Sequence, residues 1–133
     1  MKRFGCSLIC AAAALSLLGI SSAHADRHGD GLSLVCGGFG GGEHSRMLDE
    51  QSDHALTLIF ATAEGAYVGG VTTRVEGPDG QRVEKRCGPI GQISVDRAGQ
   101  YRITAEHGGE TVRHSAQLEP RGGSRAVLRV PDQ

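Results

Sequence analysis

From residue 55 onward the chain breaks into short alternating segments, with turn signals recurring every eight to twelve residues, and this cadence most restricts its architecture. Leu56-Thr57-Leu58-Ile59-Phe60-Ala61 is almost continuously apolar, as a central strand is. Glu64-Gly65 turns the chain. Val71, Thr73 and Val75 alternate with Thr72, Arg74 and Glu76 up to the strong turn Gly77-Pro78-Asp79-Gly80. Arg82 to Cys87 reads as a more polar strand, suited to a sheet edge, and Ile90 to Val95 follows the Gly88-Pro89 turn. Tyr101, Ile103 and Ala105 then alternate with Arg102, Thr104 and Glu106, and Gly108-Gly109 supplies the two residues of a tight hairpin. Val112, Ala116 and Leu118 mark the inner row of the return strand. After a turn over residues 120 to 123, Ala126, Leu128 and Val130 form the last inward row. Strands in this number, without crossover helices, predict an all-β fold: an antiparallel β-sandwich of seven or eight strands.

Upstream, Leu32-Ser33-Leu34-Val35 reads as a first strand and residues 37 to 42 as a flexible glycine loop. Glu43 to Asp53 is the one stretch of helical character, predicting a turn or two of helix with Met47 and Leu48 as its only apolar residues. The chain has 21 glycines, no tryptophan and only five Phe or Tyr residues. Its core must be built from Val, Ile, Leu and Ala, with many tight turns.

Residues 1 to 25 have the design of a secretory signal peptide. Lys2 and Arg3 precede an apolar run from Leu8 to Ile20, and Ser21-Ser22-Ala23-His24-Ala25 makes a small-residue exit. The run falls short of the ~20 residues that span hydrocarbon. Cys6 and Cys10 lie before or inside it, where neither suits lipid attachment. The expected organisation is a signal peptide over 1–25, a flexible N-terminus over 26–31 and a β-sandwich domain over 32–133. Processing would leave a periplasmic or secreted monomer with no membrane span. Of 14 basic and 15 acidic residues the leader holds only Lys2 and Arg3, so the processed chain carries a balance of −3. That charge gives no reason to expect nucleic acid as a partner. Cys36 and Cys87 are the cysteines left after processing, and in an oxidising compartment they predict one disulfide.

Gly65-Ala66-Tyr67-Val68, Val71 to Val75, Pro78-Asp79-Gly80 and Ala98-Gly99-Gln100-Tyr101-Arg102-Ile103 together resemble the carboxypeptidase regulatory-like domain over roughly residues 55 to 130. The resemblance implies a prealbumin-like (transthyretin-like) or Ig-like sandwich, and an accessory or binding role more than a catalytic one. Residues 37 to 43 with the later hairpin also resemble small exported bacterial proteins of this class. Intradiol dioxygenases share the sandwich and hold iron with two Tyr and two His. Tyr67, Tyr101, His107 and His114 are this chain's residues of those types, but a hairpin centred on Gly108-Gly109 puts the two histidines ~13 Å apart along the strands. The chain end Arg129-Val130-Pro131-Asp132-Gln133 departs from the Tyr-Arg-Gly-Ser-like tail of the transthyretin-like ureide hydrolases. No Gly-x-Ser-x-Gly or phosphate-loop signature occurs.

Two metal sites are conceivable. Cleavage after Ala25 would expose Asp26-Arg27-His28, whose free amine, two backbone amides and imidazole form a square-planar donor set for Cu(II) or Ni(II). His44 and His54 bracket the helical stretch, where Glu43, Asp49, Glu50 and Asp53 would make a loose set of ligands or a solvated acidic surface. His114 falls on the apolar row and reads as a core-rim histidine with one hydrogen-bond partner. The function expected is that of an exported, non-catalytic binding or accessory protein of the bacterial envelope, meeting an envelope protein or polysaccharide through its loops and the Arg82–Arg86 edge. No cofactor is required for it. The alternatives are a periplasmic Cu(II)/Ni(II)-binding protein and an envelope enzyme inhibitor or immunity protein.

Overall fold

A computed structural model describes residues 31–131; the leader and the Asp26-Arg27-His28 segment lie outside the described residues. Eight strands form two four-stranded sheets, as the all-β sandwich expectation required. In the first sheet the order is β1 (Leu32–Gly37), β5 (Ile90–Val95), β2 (Leu56–Ala61) and β8 (Ser124–Arg129). In the second it is β4 (Arg82–Cys87), β3 (Val71–Glu76), β6 (Gly99–His107) and β7 (Glu110–Leu118). Alternation sets the packing. Leu34, Leu58, Phe60 and Ile93 meet Val71, Val75, Ile103 and Leu118 across the interior, all buried. The β6–β7 hairpin has the register read from its glycine turn, with Ile103 opposite His114 and His107 opposite Glu110.

One pairing departs from the antiparallel expectation. β2 and β8 run parallel, Leu56 opposite Ser124 through Ala61 opposite Arg129. The chain reaches this arrangement by crossing from the second sheet to the first between β7 and β8. Parallel neighbours need a long connection rather than a hairpin, and here five intervening strands provide it.

All six residues of β2 are buried, because a helix covers the outer face of its sheet. α1 (Gly41–Asp49) is followed by a single 3-10 turn over Gln51–Asp53, close to the expected helical stretch. Two leading glycines and no side-chain cap make α1 a poor helix in isolation. Docking holds it. Met47 is 2% exposed, and the buried Gln92 side chain donates through Nε2 to Met47 O at 2.6 Å and to Thr57 Oγ1 at 3.2 Å. The glycine loop is accordingly shorter than expected: Gly37 belongs to β1, Gly41 and Gly42 to α1, and only residues 38–40 connect them. Glu43 accepts the Gly38 N–H at 3.1 Å and fixes that connection.

Cys36 and Cys87 are joined as a disulfide, with Cα atoms 4.8 Å apart. β1 and β4 are edge strands of different sheets, so the bond ties the two layers together along one side. At one end of the sandwich the Gly77–Gly80 turn packs on the corner between β5 and β6. There Tyr101, fully buried, donates its hydroxyl to Arg97 O at 2.9 Å. Asp79 pairs with Arg97 at 3.5 Å, and Gln81 Oε1 accepts the Asp79 N–H at 2.9 Å. A Cβ on Gly77 would run into Gln81 and the Tyr101 ring, so only glycine fits there.

Breaking the disulfide, by reduction or as Cys36→Ser/Cys87→Ser, should cost about 4 kcal/mol on the chain-entropy view of a 51-residue separation; denaturant titration of both forms measures it. Tyr101 yields a pH signature as well. Burial, then the Asp79 carboxylate, raises its phenol above the ordinary 10.0, so the folded protein holds that proton more tightly than the unfolded chain does. The resulting stability is complete below about pH 10 and is lost as pH rises through the folded-state value. Tyr101→Phe should lose about 1 kcal/mol at neutral pH, by leaving Arg97 O without its donor, and should flatten that alkaline loss in urea titrations across pH 8–11.

Candidate binding surface at the glycine-rich end

The end opposite Tyr101 collects the β1–α1 connection, the stretch from Thr62 to Gly70 after β2, the Gly88-Pro89 turn and the Gly108-Gly109 turn. Two of the four Phe and Tyr residues in the described chain are exposed on it. Phe39 is 74% exposed and Tyr67 60%, whereas Phe60 and Tyr101 are fully buried. Burying such a side chain is worth about 1.5–3 kcal/mol, which the fold forgoes twice in one place. A chain this poor in aromatics is not short of core sites for them.

Local structure explains how Phe39 is held while remaining exposed. Its ring lies over two glycines from separate loops. A Cβ on Gly69 would come within 2.7 Å of the ring, and one on Gly88 within 2.6 Å. At the same end of the sandwich the His44 ring, projected from the first turn of α1, lies 4.6 Å from the Tyr67 ring at an interplanar angle of 42°. His44 Nδ1 is 3.4 Å from Gly38 O, a long contact in which the carbonyl can only accept.

Gly69 also floors an open cleft of about 520 Å³ lined by Gly70, Thr72, Arg86, Glu106, His107 and the Gly108-Gly109 turn. The Arg86 guanidinium rests on Gly70, with Nη2 3.2 Å from the position a Cβ would take. Arg86 forms no ion pair among the described residues. His107 Nδ1 donates to Pro131 O at 3.0 Å, which leaves Nε2 of the neutral ring as an acceptor. Further along the same face the charges are paired: Glu76 with Arg102 at 3.6 Å and with Arg82 at 4.0 Å, and Glu84 with Arg74 at 4.0 Å. The Arg74 Nε is buried with no hydrogen-bond partner among the described residues.

The residues singled out from sequence fall in different places. His44 joins the aromatic group, but His54 lies at the far end of the helical segment, where Nδ1 meets Ser94 Oγ at 2.8 Å. The loose ligand set around these two histidines is not assembled, and among the described residues no three His, Cys, Asp or Glu side chains gather as a metal site. Asp26, Arg27 and His28 lie outside the described residues. His114 is half-buried opposite Ile103 as expected, though the hydrogen-bond partner expected for it is absent among the described residues. Tyr67 and Tyr101 are at opposite ends of the sandwich, so the four residues of the dioxygenase type do not converge. β4 is an edge strand, and Arg82 to Arg86 is largely exposed along it. The sequence reading missed Phe39 altogether and considered Tyr67 only as a residue of the iron-ligand type, not as part of an exposed surface. The available signal was a single aromatic in the run Gly37-Gly38-Phe39-Gly40-Gly41-Gly42, where no strand or helix period would bury it.

No protein-family model matches the chain, and no curated protein matches it. No helix among the described residues is long and apolar enough to cross a membrane.

If the fold does not depend on the exposed rings, Phe39→Ala and Tyr67→Ala should each change unfolding free energy by no more than about 0.5 kcal/mol. Phe60→Ala, which empties a core position, should cost about 3–5 kcal/mol in the same urea titration.

Proposed function

We propose that the chain is an exported, non-catalytic binding domain of the bacterial cell envelope, and that the glycine-rich end is its contact surface. One observation carries this reading: Phe39, seated on Gly69 and Gly88, and Tyr67, set against the His44 ring, are both held in the open at the end of the sandwich that carries a polar cleft. Exposed aromatics that are fixed in place supply contact area at low entropic cost on binding. The histidines of this surface support a positioning role in preference to proton transfer, since His44 and His107 each direct Nδ1 at a backbone carbonyl. The leader-like residues 1 to 25 and the cysteine pair support an oxidising compartment. The carboxypeptidase regulatory-like resemblance belongs to the same proposal, and it too favours an accessory role.

Processed protein purified with its disulfide intact and immobilised should retain an envelope component from a periplasmic and cell-wall extract. Phe39→Ala/Tyr67→Ala should lose that component at unchanged stability. Equal retention by both proteins would end the assignment of this surface, and the absence of any retained component would end the binding proposal itself.

A further inference from the structure

We infer that the cleft floored by Gly69 and Gly70 binds a carboxylate-bearing saccharide chain, with Arg86 taking the carboxylate and Phe39 the face of an adjoining sugar ring. This rests on the reading of the glycine-rich end as a binding surface and names what that surface recognises.

The strand register sets the layout. Thr72 on β3 is opposite Arg86 on β4 at one side and opposite Glu106 on β6 at the other. With neighbouring strands ~4.8 Å apart, the Cα atoms of Arg86 and Glu106 stand about 10 Å apart across the cleft. They form no ion pair with one another among the described residues, whereas the next cross-strand row on this face pairs Arg74 with Glu84. An Arg86 guanidinium resting against Gly70, with no carboxylate partner among the described residues, keeps its planar fork for one supplied from outside. Glu106 and the His107 Nε2 atom at the other side, with Thr72 between them and Arg86, offer acceptors suited to hydroxyl donors. Phe39 shares Gly69 with the cleft, so an apolar plane adjoins the polar floor.

A ligand matching this layout brings a carboxylate to Arg86, hydroxyls to the acceptors and a flat C–H face to Phe39. An acidic saccharide has all three. The cleft volume lies within the ~300–1,000 Å³ common for small-ligand sites. A peptide added to the sheet would instead pair along the outer side of β4, whereas the cleft lies over β3, whose two sides are both paired. Nucleic acid would bring its phosphates against Glu106 and a chain of net negative charge.

The test uses the processed, disulfide-bonded protein, with trigalacturonic acid, its fully methyl-esterified form and a tetraglutamate peptide as probes, followed by NMR titration at low salt. Binding of the acid should exceed that of the ester by about tenfold or more. Arg86→Ala should remove that difference and leave ester binding in place, while Arg86→Lys restores it only in part because a point charge lacks the fork. Phe39→Ala should weaken acid and ester alike. Gly69→Ala should do the same, by pushing the ring off its seat while leaving the cleft charges untouched. Equal affinity for acid and ester, an unchanged Arg86→Ala protein, tetraglutamate binding as tight as the saccharide, or no binding of either saccharide at millimolar concentration would each overturn the inference. Arg86 is exposed, and a retained urea midpoint in Arg86→Ala shows that the fold is intact. If the saccharides fail while envelope retention still depends on Phe39 and Tyr67, the saccharide assignment falls and the binding surface stands. If both fail, both fall.

Discussion

The bond between Cys36 and Cys87 joins two strands that share no hydrogen bonds. β1 pairs only with β5, and β4 only with β3, so along this side the layers rely on side-chain packing and on the covalent link. Packing alone has little to work with: the core is mostly Leu, Ile and Val, with one Phe and one Tyr as its large members. The link also decides what lies next to it. Residues 37 to 39 leave Cys36, and the Gly88-Pro89 turn leaves Cys87, so one bond brings the Phe39 backbone and one of its two glycine seats together. Stability and the candidate site therefore share a single origin in the chain.

The helix illustrates how local preference is overridden. Its opening glycines would not nucleate a helix in water, and its Arg46–Glu50 pair at 3.1 Å is exposed and worth only tenths of a kcal/mol. What positions it is the apolar Met47 set into the outer face of the first sheet and the Gln92 amide bridging Met47 O and Thr57. That bridge is also why a polar residue can occupy the middle of a buried strand, since its amide donors meet acceptors in place of water.

Much of the fold was legible from residue order because it is periodic. The alternation in β3 and β6, the Gly108-Gly109 hairpin and its register, and the pairing of two cysteines each follow from a rule that acts within a few residues or from simple counting. The parallel contact of β2 with β8 did not, since a pairing between segments some 70 residues apart depends on how the intervening strands are shared between layers. The candidate site was the least legible part. Phe39, His44 and Tyr67 come from three different loop or helix positions, and their proximity is a product of topology. The histidines drew attention in the sequence as possible metal ligands, whereas the structure shows His44 tilted against the Tyr67 ring and His54 bonded to a serine hydroxyl.

The direction in which the chain runs through the sandwich has a practical corollary. β1 begins at the Tyr101 end, whereas β8 finishes at the opposite end, with Pro131 held against His107. A tether placed ahead of residue 32 would hold the domain by its base and leave the aromatic rim facing outward. A tether following residue 131 would crowd that rim. For coupling to a sensor chip or for fusion to a reporter, the upstream side is the orientation that keeps the cleft open.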